Sequence, residues 1–262
     1  MEYNLITKDK SPNFAKDRVN SNHPVKGNIE CIVLHHTAQA TAEQTVLEFK
    51  LPAPGVSSHY VVGPNRDVYQ MVEEKDAAYH AGISYWRGKT GLNFTSIGIE
   101  QTNLDGNLHA YTEEQIESVI ALCRDILSRY MIPAINIVAH SDIAPNRKID
   151  PGFLFPWDRL AANGIGAYPK QELIDSYLNK LQGELKFLFK TEFIDKGLIL
   201  YGYAPTLNVN YQQRAMAFNR HFCKNANPVI DVLGLAKLLA LIEEYISLSQ
   251  LNSFIEDCKK YN

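Results

Sequence analysis

Hydrophobic positions change their spacing several times along the chain, and each change marks an element. Residues 29–34 (I-E-C-I-V-L) form a short apolar run rich in β-branched side chains, which predicts a central strand ending on His35 and His36. Thr41 then opens a helix. Gln44 completes a capping box, and Val46, Leu47 and Phe49 give the helix an apolar side before Pro52 stops it; Pro54 and Gly55 continue the loop. Residues 59–62 and 68–72 predict two strands joined by G-P-N-R-D, a hairpin signal. Residues 73–93 show no clear period, only aromatics and glycines in H-A-G-I-S-Y-W-R-G, as in a binding loop. Residues 96–101 (S-I-G-I-E-Q) predict a strand with Glu100 near its end. The clearest helix spans 112–130, where Ile116, Val119, Ile120, Cys123, Ile126 and Leu127 recur at i, i+3, i+4 spacing behind a second capping box, Thr112 with Gln115. Residues 135–139 predict a last buried strand, which delivers His140.

Strands alternating with helices predict an α/β domain with helices covering the sheet, and the hairpin makes that sheet mixed. P-W-D-R-L-A-A at 156–162 predicts a short helix with proline in its first turn, after which Gly164, Gly166 and Pro169 mark a boundary. Beyond residue 170 the pattern is helical only. Apolar stripes at 173–189, 211–222 and 229–248, separated by Gly202, Pro205 and Pro228, predict a three-helix bundle. Residues 1–28 are polar, with Pro12, Pro24 and Gly27, and read as an arm. The expected organisation is therefore an arm at 1–28, an α/β domain with a mixed central sheet at 29–169, and a small all-α domain at 170–262.

Composition narrows the function. With 262 residues, 45% of them hydrophobic, the chain can bury a core without disulfides or metal staples. A net charge of -3 with no long basic run gives no electrostatic case for nucleic-acid binding, and none is expected. No apolar run approaches the roughly 20 residues that span a bilayer, and the polar N-terminal stretch lacks the apolar region of a secretory signal. Cys31, Cys123, Cys223 and Cys258 show no C-x-x-C spacing and lie in apolar or amphipathic segments, which predicts buried free thiols and favours a reducing compartment. A cytoplasmic monomer is expected. A cleaved leader would leave the same pattern and place the protein in the periplasm or cell envelope.

The densest chemistry lies at 137–152, I-V-A-H-S-D-I-A-P-N-R-K-I-D-P-G. Here His140 ends a strand, and Lys148 and Asp150 follow on a loop. Three strand ends thus offer His35 or His36, Glu100, and His140 with Asp150. Two histidines and a carboxylate with one open position form a known catalytic zinc arrangement, in which a bound water loses a proton near neutral pH. Glu100 could carry that proton to a leaving amine. Lys148 could meet the charge developing on a carbonyl oxygen. Taken singly, each of these is more often a structural histidine or a solvated charge, so spacing alone does not decide between metal and packing. Neighbours on a strand face opposite ways, so His35 and His36 cannot easily share one metal.

Five motifs in order, V-L-H-H-T-A, S-S-H-Y-V-V, Y-H-A-G-I-S-Y-W-R-G, S-I-G-I-E and V-A-H-S-D-I-A-P-N-R-K-I-D-P-G, resemble the zinc-dependent N-acetylmuramoyl-L-alanine amidases of the peptidoglycan-recognition fold. The resemblance covers about residues 29–169 and implies one zinc ion per chain on His35, His140 and Asp150. It also implies Glu100 as the acid–base residue, Lys148 as the group that stabilises the tetrahedral intermediate, and peptidoglycan or muropeptides as substrate. His80, Tyr85, Trp86 and Arg87 are expected to line the cleft, and His36, where relatives often carry an aromatic residue, to pack on the other face. The tail, with Q-Q-R-A-M-A-F-N-R-H-F at 212–222, resembles the peptidoglycan-binding-like domain of the longer amidases. Relatives of this fold can also bind peptidoglycan without cutting it, which makes a non-catalytic binding module the alternative. Asp142 is given no chemical role and is expected to fix the loop.

Overall fold

The structure, a computed structural model, describes residues 3–206 and 208–261. Met1 and Glu2 of the expected arm, and Leu207 and Asn262 of the expected helical domain, lie outside the described residues. Strands run at Asn4–Ile6 (β1), Phe14–Ala15 (β2), Cys31–His36 (β3), Tyr60–Val62 (β4), Asp67–Gln70 (β5), Ala77–Ala78 (β6), Tyr85–Trp86 (β7), Lys89–Thr90 (β8), Ser96–Gln101 (β9) and Ile137–Ala139 (β10). Helices run at Ala42–Phe49 (α1), Glu113–Arg129 (α2), His140–Ile143 (α3), Trp157–Ala162 (α4), Gln171–Gln182 (α5), Thr191–Tyr201 (α6), Tyr211–Phe222 (α7), Val232–Tyr245 (α8) and Leu248–Lys260 (α9). Among the described residues no helix is long and apolar enough to cross a membrane.

The central sheet has the order β1-β5-β4-β9-β3-β10. It is mixed, as the hairpin predicts: β4 and β5 are antiparallel and the other neighbours parallel. Alternation along the strands sorts the two faces. Ile32, Leu34, Ile97 and Ile99 pack with Ile116, Val119 and Ile126 of α2, whereas Cys31 and Val33 join a core on the opposite face. His35 continues the Cys31 and Val33 series, and the register sets it beside Glu100. Parallel neighbours in register bring their side chains to the same face. Local sequence thus places an imidazole and a carboxyl together at the C-terminal ends of two central strands.

Three elements differ from their sequence pattern. Residues 3–28 are more than an arm, because β1 adds to the sheet beside β5, and Arg18 is buried and donates to the carbonyl oxygens of Glu74 and Ser96. Thr112 caps α2 by accepting from the Gln115 N–H, but the Gln115 side chain does not return the bond. It is buried and donates to the carbonyl oxygens of Val62 and Thr102, tying the ends of β4 and β9 together. The tail contains α5 to α9 among the described residues rather than three helices. The third stripe ends at α8, and Ser247, accepting from the Gln250 N–H, starts α9.

The tail also shares a core with the α/β part. One buried cluster joins Val33, Trp86, Val138 and Ile143 to Leu198, Tyr203, Phe218 and Leu238. Each such side chain contributes about 1.5–3 kcal/mol on burial, so the boundary near Gly164 separates topologies rather than cores. The four cysteines are free, with Cys31, Cys123 and Cys258 buried and Cys223 half-buried.

Candidate active site

His35, His140 and Asp150 converge at the C-terminal ends of β3 and β10. The Nδ1 atoms of the two histidines are 2.9 Å apart, and Asp150 Oδ2 lies 3.1 Å from His35 Nδ1 and 2.9 Å from His140 Nδ1. All three residues are buried. His35 comes from β3; His140 follows β10 directly as the first residue of α3. Asp150 is brought back by its own carbonyl, which accepts from the Ser141 N–H at 3.0 Å. Tyr111 holds the next residue, its hydroxyl donating to the Pro151 carbonyl at 2.6 Å. Gly152 has φ +88°, and a Cβ there would stand 2.3 Å from the Gly106 carbonyl oxygen, so the loop closes only with glycine.

Hydrogen bonding assigns the imidazole tautomers. Ser96 spends its hydroxyl proton on the Leu92 carbonyl at 2.5 Å, so its oxygen accepts from His80 Nε2 at 3.1 Å. His80 Nδ1 then accepts from His35 Nε2 at 3.0 Å, which leaves the lone pair of His35 on Nδ1. His140 Nε2 faces the Ala81 carbonyl at 3.4 Å; a carbonyl only accepts, so the His140 lone pair is on Nδ1 as well. Burial, then the neighbouring His140, pushes the His35 pKa down to about 4, and the ring is neutral. Two imidazole lone pairs and a carboxylate oxygen therefore face one another with no proton between them. That donor set fits a divalent cation bound by nitrogen and oxygen, zinc among them.

Gly98 makes this support possible. A Cβ at Gly98 would stand 2.4 Å from His80 Cγ, so only glycine lets the ring lie on β9. Gly98→Ala is expected to displace His80, free the His35 ring and weaken metal binding by about 10–100-fold. Chelator competition measures this, and an unchanged affinity would remove His80 from the support of the metal.

Glu100 stands beside this group without joining it. Its Oε1 is 3.9 Å from His35 Nδ1, and its buried Oε2 has no hydrogen-bond partner among the described residues. Burial, followed by the Asp150 charge, raises its pKa well above the usual carboxyl range. Lys148 is half-buried. A cavity of about 510 Å3 opens over the group, with Glu100, Lys148, His140 and Asp150 in its wall. The structure thus brings together all five residues expected to carry catalysis and metal binding.

The expected cleft residues divide differently. His80 reaches the cavity wall, but both ring nitrogens are engaged in support of His35. Tyr85, Trp86 and Arg87 are not among the lining residues. Trp86 is 3% exposed, donates from Nε1 to the Ile135 carbonyl, and meets Tyr201 and Tyr203 edge-on at 5.9 and 5.3 Å. Arg87 donates to the carbonyl oxygens of Gly202 and Tyr201, and Tyr85 pairs with Thr90 in the β7–β8 hairpin. The hairpin turns at Arg87 and Gly88, both with positive φ, and projects into the tail, so W-R-G anchors the helices instead of lining the cleft. His36 is outside the metal group, as alternation requires, yet it too lines the cavity, its Nδ1 accepting from the Ala38 N–H at 3.2 Å.

Two supporting residues escaped sequence reasoning. Ser96 anchors the tautomer chain, and its signal is the S-I-G-I-E alternation that sets Ser96, Gly98 and Glu100 on one face. Arg147, also in the cavity wall, donates to the Ala81 and Ile83 carbonyl oxygens and ties the His140 loop to the loop after β6. Nothing in the spacing marks it.

Residues 25–153 match the sequence family described as N-acetylmuramoyl-L-alanine amidase. The amidase AmiD of Escherichia coli (strain K12) is 39% identical over 236 residues, 83% of this chain and 83% of its own length. The shorter 1,6-anhydro-N-acetylmuramyl-L-alanine amidase AmpD of the same organism is 38% identical over 105 residues, 40% of this chain and 56% of its own length. The solved complex of E. coli AmiD with anhydro-N-acetylmuramic acid-L-Ala-D-gamma-Glu-L-Lys superposes with a TM-score of 0.74 at 34% identity, covering 89% of this chain and 98% of AmiD. AmpDh3 of Pseudomonas aeruginosa, bound to anhydromuramic pentapeptide, gives 0.75 at 33% identity over 87% of this chain and 96% of that one.

Proposed function

The chain belongs to the N-acetylmuramoyl-L-alanine amidase family, and on that premise we propose that it hydrolyses the amide joining the lactyl group of N-acetylmuramic or anhydro-N-acetylmuramic acid to L-alanine. We assign one zinc ion per chain to His35, His140 and Asp150. The observation that carries this reading is the convergence of three buried acceptor atoms beside a carboxyl whose buried Oε2 has no hydrogen-bond partner among the described residues, at the wall of a cavity. A cavity of about 510 Å3 suits the sugar acid with the first residues of a stem peptide.

Zinc, when bound, supplies a Lewis acid that polarises the amide carbonyl and makes an attached water acidic. Glu100 takes a proton from the attacking water and delivers it to the L-alanine nitrogen as the C–N bond breaks. Burial, followed by the Asp150 charge, raises its pKa, which makes the carboxylate a stronger base for the proton it takes from the water. Lys148 brings a positive charge to the same wall, where charge grows on the carbonyl oxygen. His80 and Ser96 keep the proton on His35 Nε2 throughout, so the ligand lone pair stays on Nδ1. A binding module without catalysis would lack one of these parts, and none is missing.

The test is digestion of a soluble anhydro-muropeptide and of intact sacculi, with products weighed by mass spectrometry. Peptides beginning with L-alanine, together with the free sugar acid, are expected. Cleavage inside the stem, or no cleavage, would overturn the reading. Lys148→Met is expected to lower kcat on the order of 10²-fold, as for loss of one stabilising group. Burst and steady-state kinetics measure this, and unchanged kcat would remove Lys148 from the mechanism.

A further inference from the structure

Asp142 lies two residues past His140 and is 0% exposed. Its Oδ2 accepts from the Ala139 N–H at 2.8 Å, which pins the backbone where β10 turns into α3 and presents His140. The other donors come from the tail. Tyr203, just after α6, donates its hydroxyl to Asp142 Oδ1 at 2.8 Å, and His221 of α7 donates from Nδ1 to Oδ2 at 2.7 Å. Both are themselves held: the His221 ring stacks on Trp157 at 3.7 Å and on Phe222 at 3.9 Å, and Tyr203 meets Trp86 edge-on.

A four-residue helix such as α3 has little stability of its own. A buried carboxylate is costly unless its oxygens are satisfied, so loss of one donor leaves Asp142 an unsatisfied group beside the His140 backbone. Asp142 therefore links two donors of the tail to the peptide that precedes His140. We propose that Tyr203 and His221, acting through Asp142, are positioning residues for His140, so that the helical tail sets the geometry of the metal centre. This inference rests on the amidase reading, because it takes His140 as a ligand. It predicts that the tail matters for a small soluble substrate that needs no attachment to the wall.

The experiment uses the full chain and compares Tyr203→Phe, His221→Leu and His221→Asn with wild type. Zinc affinity is measured by chelator competition, cobalt(II) substitution reports the geometry of the ligands by its visible spectrum, and kcat and KM are taken on a soluble anhydro-muropeptide. Tyr203→Phe and His221→Leu are expected to weaken zinc binding about 10-fold, alter the cobalt spectrum and lower kcat with KM little changed. His221→Asn, which keeps a donor near the Nδ1 position but forfeits the ring stacking, is expected to recover most of the loss. If packing were the whole role, leucine would outrank asparagine and only the melting temperature would move; that order overturns the proposal. Should the His221 variants fail to fold, Tyr203→Phe, which keeps the ring, decides it. Wild type that binds zinc and releases L-alanine peptides, with variants equal to it, sinks the positioning role alone. Wild type that does neither overturns the amidase reading and this inference with it.

Discussion

Replacing Glu100 with glutamine is expected to lower kcat on a soluble muropeptide by about 10²–10⁴-fold while one zinc stays bound. Glutamine keeps the size of the side chain and cannot carry the proton. Glu100 Oε1 is 3.9 Å from His35 Nδ1, outside the contacts of 2.9–3.1 Å that join the metal group, so the substitution removes no ligand. A fall in kcat with little change in KM marks an interaction made only in the transition state. Metal analysis and steady-state kinetics check this together, and zinc lost along with activity would reassign Glu100 as a ligand. Stability should move the other way. Burial and Asp150 raise the folded pKa of Glu100 above the ordinary 4.5, so the stability its carboxyl contributes is present below that value and is lost as pH rises through the folded pKa. In metal-free protein at neutral pH, Glu100→Gln is therefore expected to melt above wild type. The difference should shrink as pH falls toward the ordinary carboxyl range, and a variant that melts lower throughout would contradict the buried, destabilised carboxyl.

The parts of this site that a sequence reader can find are those built from strand alternation. β3, β9 and β10 are short apolar runs, and each ends in a residue whose chemistry has no place in a core. Spacing could not choose between His35 and His36, and the family motif did; the register that sets His35 beside Glu100 gives the same choice a physical cause. In Y-W-R-G no local pattern separates cleft from interface, because a phenol, an indole and a guanidinium suit a sugar cleft and a packed interface equally well. What decides is the contact of Trp86 and Arg87 with Tyr201 and Tyr203, more than a hundred residues away, which no local pattern records. Helix α6 is hidden for another reason: Ile194, Leu198, Ile199 and Leu200 surround it with apolar positions, so no stripe stands out against a polar face. β1, three residues long, is too short to show a period. Asp142 fixes the loop, as its place after His140 suggests, and takes partners from the tail that no local pattern shows.

Asp150→Ala is expected to abolish metal binding, and amidase activity with it, by on the order of 10⁴-fold or more, which is about 5.5 kcal/mol at 1.36 kcal/mol per tenfold. Asp150 Oδ2 is the sole anionic donor of the group, and two neutral imidazoles alone retain little hold on a divalent cation. The substitution leaves the loop in place, because the Asp150 carbonyl still accepts from the Ser141 N–H and the Pro151 carbonyl from Tyr111. Loss of activity should therefore come without loss of fold, which far-UV circular dichroism and a cooperative melt check. Zinc then separates a missing ligand from a damaged one. Binding to the folded state stabilises by RT ln(1 + [L]/Kd), about 4 kcal/mol at a thousand times Kd. The wild-type melting temperature should climb steadily with added zinc, and that of Asp150→Ala should not respond. Asp150→Asn, which keeps an acceptor oxygen but no charge, should fall between the two, at a reduced zinc response and residual turnover. Full activity in Asp150→Ala, or in wild-type protein stripped of metal, would dismantle the assignment of His35, His140 and Asp150 as the zinc ligands, since no other part of the proposed chemistry could compensate for the lost Lewis acid.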